Sequence, residues 1–150
     1  MLKFARGNQC PWDEKTCGRA AQKYGLPIFQ LSRENGCPWD QWTCKIAAEY
    51  GQLDLLQYAR KYDCPWDASI CEFAAMNGHL HVLQWARKNK CPWDKETLTS
   101  AGKYGRLNVF QWALEYGCPW DSTSDTVKYY SPNILQWMKG HYVLSKKICL

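Results

Sequence analysis

The four residues Cys-Pro-Trp-Asp begin at Cys10 and return at Cys37, Cys64, Cys91 and Cys118, each time 27 residues after the last. A fixed period of this size marks a repeat architecture, in which one supersecondary unit stacks on its own copies because no single copy can bury its apolar face alone. The core of such a chain is a line of contacts between neighbours. Nine tryptophans and nine tyrosines supply apolar area for it. Each large side chain buried contributes about 1.5–3 kcal/mol against the entropy lost in ordering the chain.

Each unit divides into two helices. In the unit from Cys10 to Gly36, Pro11 keeps the link extended and Asp13 is a good N-cap, so helix A is predicted to start near Glu14. Cys17, Ala20, Ala21 and Tyr24 follow the i, i+3, i+4, i+7 rule and define its expected buried stripe, small enough for helices to approach closely. Gly25 ends helix A, Pro27 suits the first turn of helix B, and Gly36 stands as its C-terminal stop. The units opened by Cys37 and Cys64 repeat this plan. The unit from Cys91 has Leu98 for the helix A cysteine and Gly102 for the second alanine, and the last places Asp125 and Lys128 at core positions. Terminal repeats often drift in this way because one side faces water. The expected organisation is a partial repeat, helix B only, over residues 1–9, four repeats over 10–117, and a degenerate capping repeat with a tail over 118–150. Either a longer array has been trimmed or the chain opens with a single capping helix.

Eight of the nine cysteines sit at repeat positions. Like positions in stacked helices lie about 8–10 Å apart, beyond the roughly 7 Å Cα separation that a disulfide spans. The cysteines are therefore expected to stay reduced and to pack as small buried side chains. No C-x2-4-C knuckle or zinc-type histidine pair is present, and no metal or other cofactor is expected. The formal charge of +5 is spread along the chain without a basic run, so charge by itself names no partner. Neither a signal-peptide stretch nor a membrane-length apolar segment occurs, which makes an intracellular, membrane-free setting the expectation. There is no nucleophile-elbow serine, no phosphate-cradling glycine loop and no repeated carboxylate pair outside the caps, so the chain reads as a non-enzyme.

The paired alanines in Thr43-Cys44-Lys45-Ile46-Ala47-Ala48-Glu49-Tyr50-Gly51, the Gly78-His79 turn and the apolar run Leu80-His81-Val82-Leu83 resemble the ankyrin repeat. That repeat is longer, about 33 residues, and the compact link here is most simply read as replacing its β-hairpin. The chain looks like the short, tryptophan-rich ankyrin-like variety found in giant DNA viruses, algae and oomycetes. The resemblance covers Leu2 to about Lys139 and implies an all-α solenoid of stacked helix-turn-helix repeats lacking the hairpin. It implies a turn hydrogen-bonding role for His79, and a protein-binding task without a common target. A viral or protist adaptor in the cytoplasm, the host's if viral, is the expectation it carries.

Where the units differ, they differ on the face of helix A opposite the buried stripe. That face reads Lys15, Arg19, Gln22; Trp42, Ile46, Glu49; Ser69, Phe73, Met76; Glu96, Ser100, Lys103. It is apolar in the middle units and charged at both ends, as protein interfaces are built. Trp42, Ile46, Phe73 and Met76 are the expected anchors of an unidentified protein partner, with Lys15, Arg19, Glu96 and Lys103 orienting it and Tyr50 extending the patch. The competing reading buries Ile46 and Phe73 sideways against neighbouring helices, and Trp42 discriminates between the two.

Two other readings compete for function. Arg6, Arg33, Arg60 and Arg87 form a stripe along helix B that either pairs with the row of link aspartates or faces a nucleic-acid backbone. Pairing is the better reading, and nucleic acid is not the expected partner. Gln30, Gln57, Gln84, Gln111 and Gln136 are expected to form a hydrogen-bonding ladder. The remaining reading is a spacer within a longer protein. The array is expected to be a monomer.

Overall fold

A computed structural model describes residues 14–38, 40–121 and 124–141. The expected partial repeat over residues 1–9, the end of the tail and the side chain of Lys15 lie outside the described residues. The described residues form helices α1 (Glu14–Glu34), α2 (Gln41–Glu49), α3 (Leu53–Lys61), α4 (Ser69–Asn77), α5 (Leu80–Lys88), α6 (Lys95–Lys103), α7 (Leu107–Glu115), α8 (Ser124–Val127) and α9 (Pro132–Gly140), with no strand among them. The protein is all-α. In α1 the backbone leaves helical geometry at Gly25, at φ 70°, so this element is the expected helix A and helix B of the first unit running on across a kink.

Helix A of each unit packs on helix A of the next, through α1, α2, α4 and α6 in turn, while α3, α5 and α7 pack on the helix A before them. The buried residues are those the spacing singles out: Cys44, Ala47 and Ala48 in α2, Cys71, Ala74 and Ala75 in α4, Leu98 and Ala101 in α6. Leu55, Leu56 and Ala59 of α3 close over them, as do Val82, Leu83 and Ala86 of α5 and Val109, Phe110 and Ala113 of α7. Tyr24, placed in the stripe by its spacing, is instead exposed, as are Tyr50 and Tyr104, which like it precede the glycine after helix A. They stand at the end of helix A, where the next turn already bends away.

The link is held by each residue in a different way. The amide of Cys64 donates to Ala59 O at 3.0 Å and that of Cys91 to Ala86 O at 2.9 Å, closing the C-terminus of helix B. Asp40 Oδ1 then accepts from the Trp42 amide at 2.9 Å, and Asp94 Oδ1 from the Glu96 amide at 3.0 Å, capping the helix that follows. The Trp66 ring meets Trp85 of its own unit edge-on at 5.8 Å and lies under the Arg60 guanidinium of the unit before, at 4.4 Å. Arg87 sits in the same way over Trp93 at 4.2 Å. Tryptophan thus joins adjacent units.

One residue more than the predicted stripe is buried at the start of α2, α4 and α6: Thr43, Ile70 and Thr97 are fully covered. The hydroxyls of Thr43 and Thr97 have no hydrogen-bond partner, whereas Ile70 fills the same place without a polar atom. A buried unpaired hydroxyl costs about 1–3 kcal/mol. Thr97→Val is therefore expected to raise the unfolding free energy by about 1 kcal/mol in urea denaturation; a loss of stability would show that the hydroxyl is satisfied.

The degenerate unit departs from the sequence expectation. Asp125 and Lys128 do not enter the core; both are exposed and form an ion pair at 3.0 Å. The core position is taken by Tyr130, whose ring lies where a Cβ on Gly102 would be, 2.7 Å away. Its hydroxyl accepts from Trp120 Nε1 at 3.1 Å. That is why Gly102 stands where other units have alanine.

The expectation of reduced, buried cysteines holds for Cys44, Cys64, Cys71, Cys91 and Cys118, which are free and buried, and is corrected at Cys37. Cys37 is disulfide-bonded. The Cys44 thiol donates to the Cys64 sulfur, and the Cys71 thiol to the Cys91 sulfur. The expectation compared like positions, which are a helix spacing apart. The contacts join unlike ones, a helix A cysteine with the link cysteine that opens the next unit.

Candidate functional site

An open cleft of about 430 Å³ lies between the helix A faces of the first two units, lined by Arg19, Gln22, Trp42, Ile46, Glu49 and Tyr50. α1 places Arg19 and Gln22 on one side one turn apart, both exposed, and α2 places Trp42, Ile46 and Glu49 on the other. The glycine at position 18 allows this. A Cβ there would meet Ile46 Cδ1 at 2.8 Å and Trp42 Cδ1 at 3.2 Å, so the two side chains of α2 lean into α1. Ile46 is 5% exposed, forming the floor. Trp42 at 47% and Tyr50 at 46% form the walls. Gln22 Nε2 donates to the Tyr50 hydroxyl at 2.6 Å, tying the two helices across the opening.

The expected site residues divide accordingly. Arg19, Trp42, Ile46 and Tyr50 come together around the cleft, but Ile46 is available only from within it. Phe73 is half-buried against the core and Met76 is also only partly exposed, so the apolar face expected at the centre of the array is smaller than the sequence implied. Glu96 and Lys103 are exposed further along, on α6, and do not border the cleft. Gln22 and Glu49, which line it, lie on the same variable face.

Charge along this face is asymmetric. Arg19 and Lys23 are exposed at the α1 end, while Glu72, Asp94 and Glu96 crowd one another between α4 and α6. Burial, then the charges of Glu96 and Asp94, push the Glu72 carboxyl above its ordinary range, although Ser100 Oγ donates to it at 3.4 Å. A carboxyl raised in the folded state favours folding when protonated and opposes it once pH rises through the folded value. Glu72→Gln is therefore expected to be more stable than the parent at neutral pH. The difference should vanish below about pH 4, where both side chains are neutral. Thermal unfolding across pH reads this, and a constant offset at every pH would refute it.

The arginine stripe is engaged elsewhere. Arg33, Arg60 and Arg87 donate through Nη1 to the carbonyls of Cys37, Cys64 and Cys91, four residues on. These guanidinium groups complete the helix B C-termini, and Arg60 and Arg87, also over tryptophan rings, form no ion pair with a link aspartate among the described residues. Asp67 is held below the usual carboxylate range by the Ser69 hydroxyl and amide, and accepts from Gln41 Nε2 of the preceding unit. The glutamines do not bond one another among the described residues, and Gln57, Gln84 and Gln136 face solvent.

A different ladder is present. His79 Nε2 donates to Glu49 O at 3.0 Å, Arg106 Nε to Met76 O at 2.9 Å, and Gln52 Nε2 lies 3.5 Å from Gln22 O. In the units opened by Cys37, Cys64 and Cys91, the residue before helix B thus reaches back to a carbonyl near the end of helix A in the unit before. Histidine, arginine and glutamine all do this: the hydrogen-bonding role expected of His79 is seen, whereas the same role at Gln52 and Arg106 was hidden by the change of residue type. Also unforeseen is a shallow cavity of about 300 Å³ on the helix B side, lined by Gln57, Arg60, Lys61, Trp66, Trp85 and Asn89. Its signal in the sequence was the aromatic residue three before the end of α3, α5 and α7: Tyr58, Trp85 and Trp112.

Among the described residues no group of three or more histidine, cysteine, aspartate or glutamate side chains is placed to hold a metal ion. No described helix is long and apolar enough to cross a membrane. Compared with known protein families and with curated proteins, the chain matches none.

Proposed function

We propose that this chain is an ankyrin-like solenoid of 27-residue helix-turn-helix units without the β-hairpin, and that it binds another protein through the helix A face. The domain plan is four repeats over 10–117, a partial repeat before them and a degenerate capping repeat after. The observation that carries the binding role is the cleft walled by Trp42 and Tyr50 and floored by Ile46. A half-exposed tryptophan and tyrosine around an apolar floor, with Arg19 and Glu49 at the rim, is the composition of an interface hot spot. Trp42 and Tyr50 are the anchors in this reading, with Arg19, Glu96 and Lys103 setting orientation and Phe73 and Met76 continuing the surface. The protein acts as a monomeric, intracellular adaptor without catalysis or cofactor. The engagement of Arg60 and Arg87 by carbonyls and tryptophans weighs against nucleic acid as the partner.

The test is affinity capture with the full chain, run beside Trp42→Ala and Arg60→Gln, with circular dichroism to show that each variant is folded. The expected result is a captured protein lost with Trp42→Ala, since truncating an anchor costs about 2 kcal/mol or more, roughly 30-fold in affinity. Capture unaffected by Trp42→Ala, or nucleic acid bound with a steep salt dependence and lost with Arg60→Gln, would overturn the reading.

A further inference from the structure

Three link cysteines of the described residues make the same approach to the unit before them. Cys64 Sγ donates to Asp40 O at 3.2 Å, Cys91 Sγ to Asp67 O at 3.4 Å, and Cys118 Sγ to Asp94 O at 3.4 Å. Each accepting aspartate caps a helix A, and the residue four further on, in the first turn above that carbonyl, is Cys44, Cys71 and Leu98 respectively. The link thiol is thereby delivered to the helix A thiol in two units and to a leucine in the third. Cys44, Cys64, Cys71 and Cys91 are all fully buried, so no solvent separates the paired sulfurs. Cys37, the link cysteine that opens the second unit, is already disulfide-bonded. It is the residue of the same register as Cys64 and Cys91.

We propose that Cys44–Cys64 and Cys71–Cys91 are oxidation sites that close as disulfides, stapling helix A of one unit to the link of the next, while Cys118 remains a thiol. The step is a two-electron oxidation. With a peroxide as oxidant, one cysteine of the pair gives a sulfenic acid and water. The partner sulfur then attacks the sulfenic sulfur, a second water leaves, and the S–S bond forms. With a small disulfide as oxidant, two exchanges release two thiols.

The directions in which the thiols are biased agree with this order. The hydrogen bond from Cys44 pulls the Cys64 thiol down, while that bond and burial push Cys44 up, so Cys64 carries the thiolate character and is the sulfur that attacks the oxidant and is first oxidised. Because all four sulfurs are buried, oxidant reaches them through local opening of the link, and closure is slower than that of an exposed thiol pair. A closed staple ties together two points twenty residues apart in sequence. It removes the freedom of that loop from the unfolded chain, and it couples the opening of one unit to that of the next.

The test uses the full chain, treated with oxidised glutathione or hydrogen peroxide and then alkylated under denaturing, non-reducing conditions. Fragments cut at lysine, arginine and aspartate separate every cysteine from the next, so mass spectrometry assigns each link. The expected products are the Cys44–Cys64 and Cys71–Cys91 fragments, each lighter by two hydrogens, with Cys118 alkylated. The denaturation midpoint should rise and return on reduction with dithiothreitol. Cys44→Ser should abolish the first link and leave the second, and Leu98→Cys should create a third, to Cys118. Recovery of all four cysteines as alkylated thiols under oxidant that converts methionine to sulfoxide would overturn the proposal, as would scrambled links in the folded wild-type chain, which requires no variant to fold.

Discussion

Phe110→Ala is expected to lower the unfolding free energy by about 3–5 kcal/mol, the cost of removing a buried aromatic ring and leaving its cavity. Phe110 is fully buried in α7, edge-on to Tyr130 at 5.6 Å and to Trp137 of α9 at 6.1 Å. It is the ring through which the last full unit holds the degenerate one. Because α9 packs on α7, the loss should fall unevenly. Residues from Tyr130 to Trp137 should exchange their amide hydrogens by local opening while those of α4 and α5 still exchange only on global unfolding. Urea denaturation followed by tryptophan fluorescence should broaden or split. A single sharp transition displaced by less than about 1 kcal/mol would mean that the terminal unit is held by something other than this ring.

Gly51→Ala should be nearly as damaging, and for two separable reasons. Gly51 adopts φ 68°, a left-handed conformation that costs a residue with a Cβ about 1–2 kcal/mol. The added Cβ would also sit 2.7 Å from His79 Nδ1, in the ring that donates to the Glu49 carbonyl. Overpacking of this kind costs about 1–3 kcal/mol more. Gly36 provides the comparison, since it has φ 81° with nothing within 4 Å of the new carbon. Gly36→Ala should show the backbone cost alone. In a double-mutant cycle, His79→Ala in the Gly51→Ala background should recover part of the loss. Equal costs at Gly51 and Gly36, or no coupling to His79, would show that the histidine ring yields freely.

The repeated stop of helix B shows how far local rules carry. Gly36 and Gly117 turn the chain with positive φ as a glycine stop should, yet the equivalent residues are Asp63 and Lys90, at φ 58° and 63°. Those two units keep the turn because the following cysteine amide bonds back to helix B and the arginine holds the cysteine carbonyl. The link therefore imposes a backbone conformation that its side chain disfavours. The candidate site divides in the same manner. Position 42 is legible as a surface tryptophan from its place near the helix start, and it is half exposed. Ile46 has the same helical phase as a surface residue, yet it is buried, because Gly18 in the neighbouring helix leaves room for it to lean across. Nothing in the phase of α2 contains that information.

What the amino-acid sequence determined by itself was the 27-residue unit, its two helices, the aspartate caps, the kink at Gly25 and the small-residue stripe of helix A. These follow from residue propensities and from periodicity along one helix, and both are local. Only the tertiary structure decided which cysteine meets which, where the arginines go, that Tyr130 fills the hollow over Gly102, and that Ile46 is covered while Trp42 beside it stands open. Each of these depends on the lateral offset between neighbouring units, which brings unlike positions of the repeat into contact. A period read along the chain aligns only like with like.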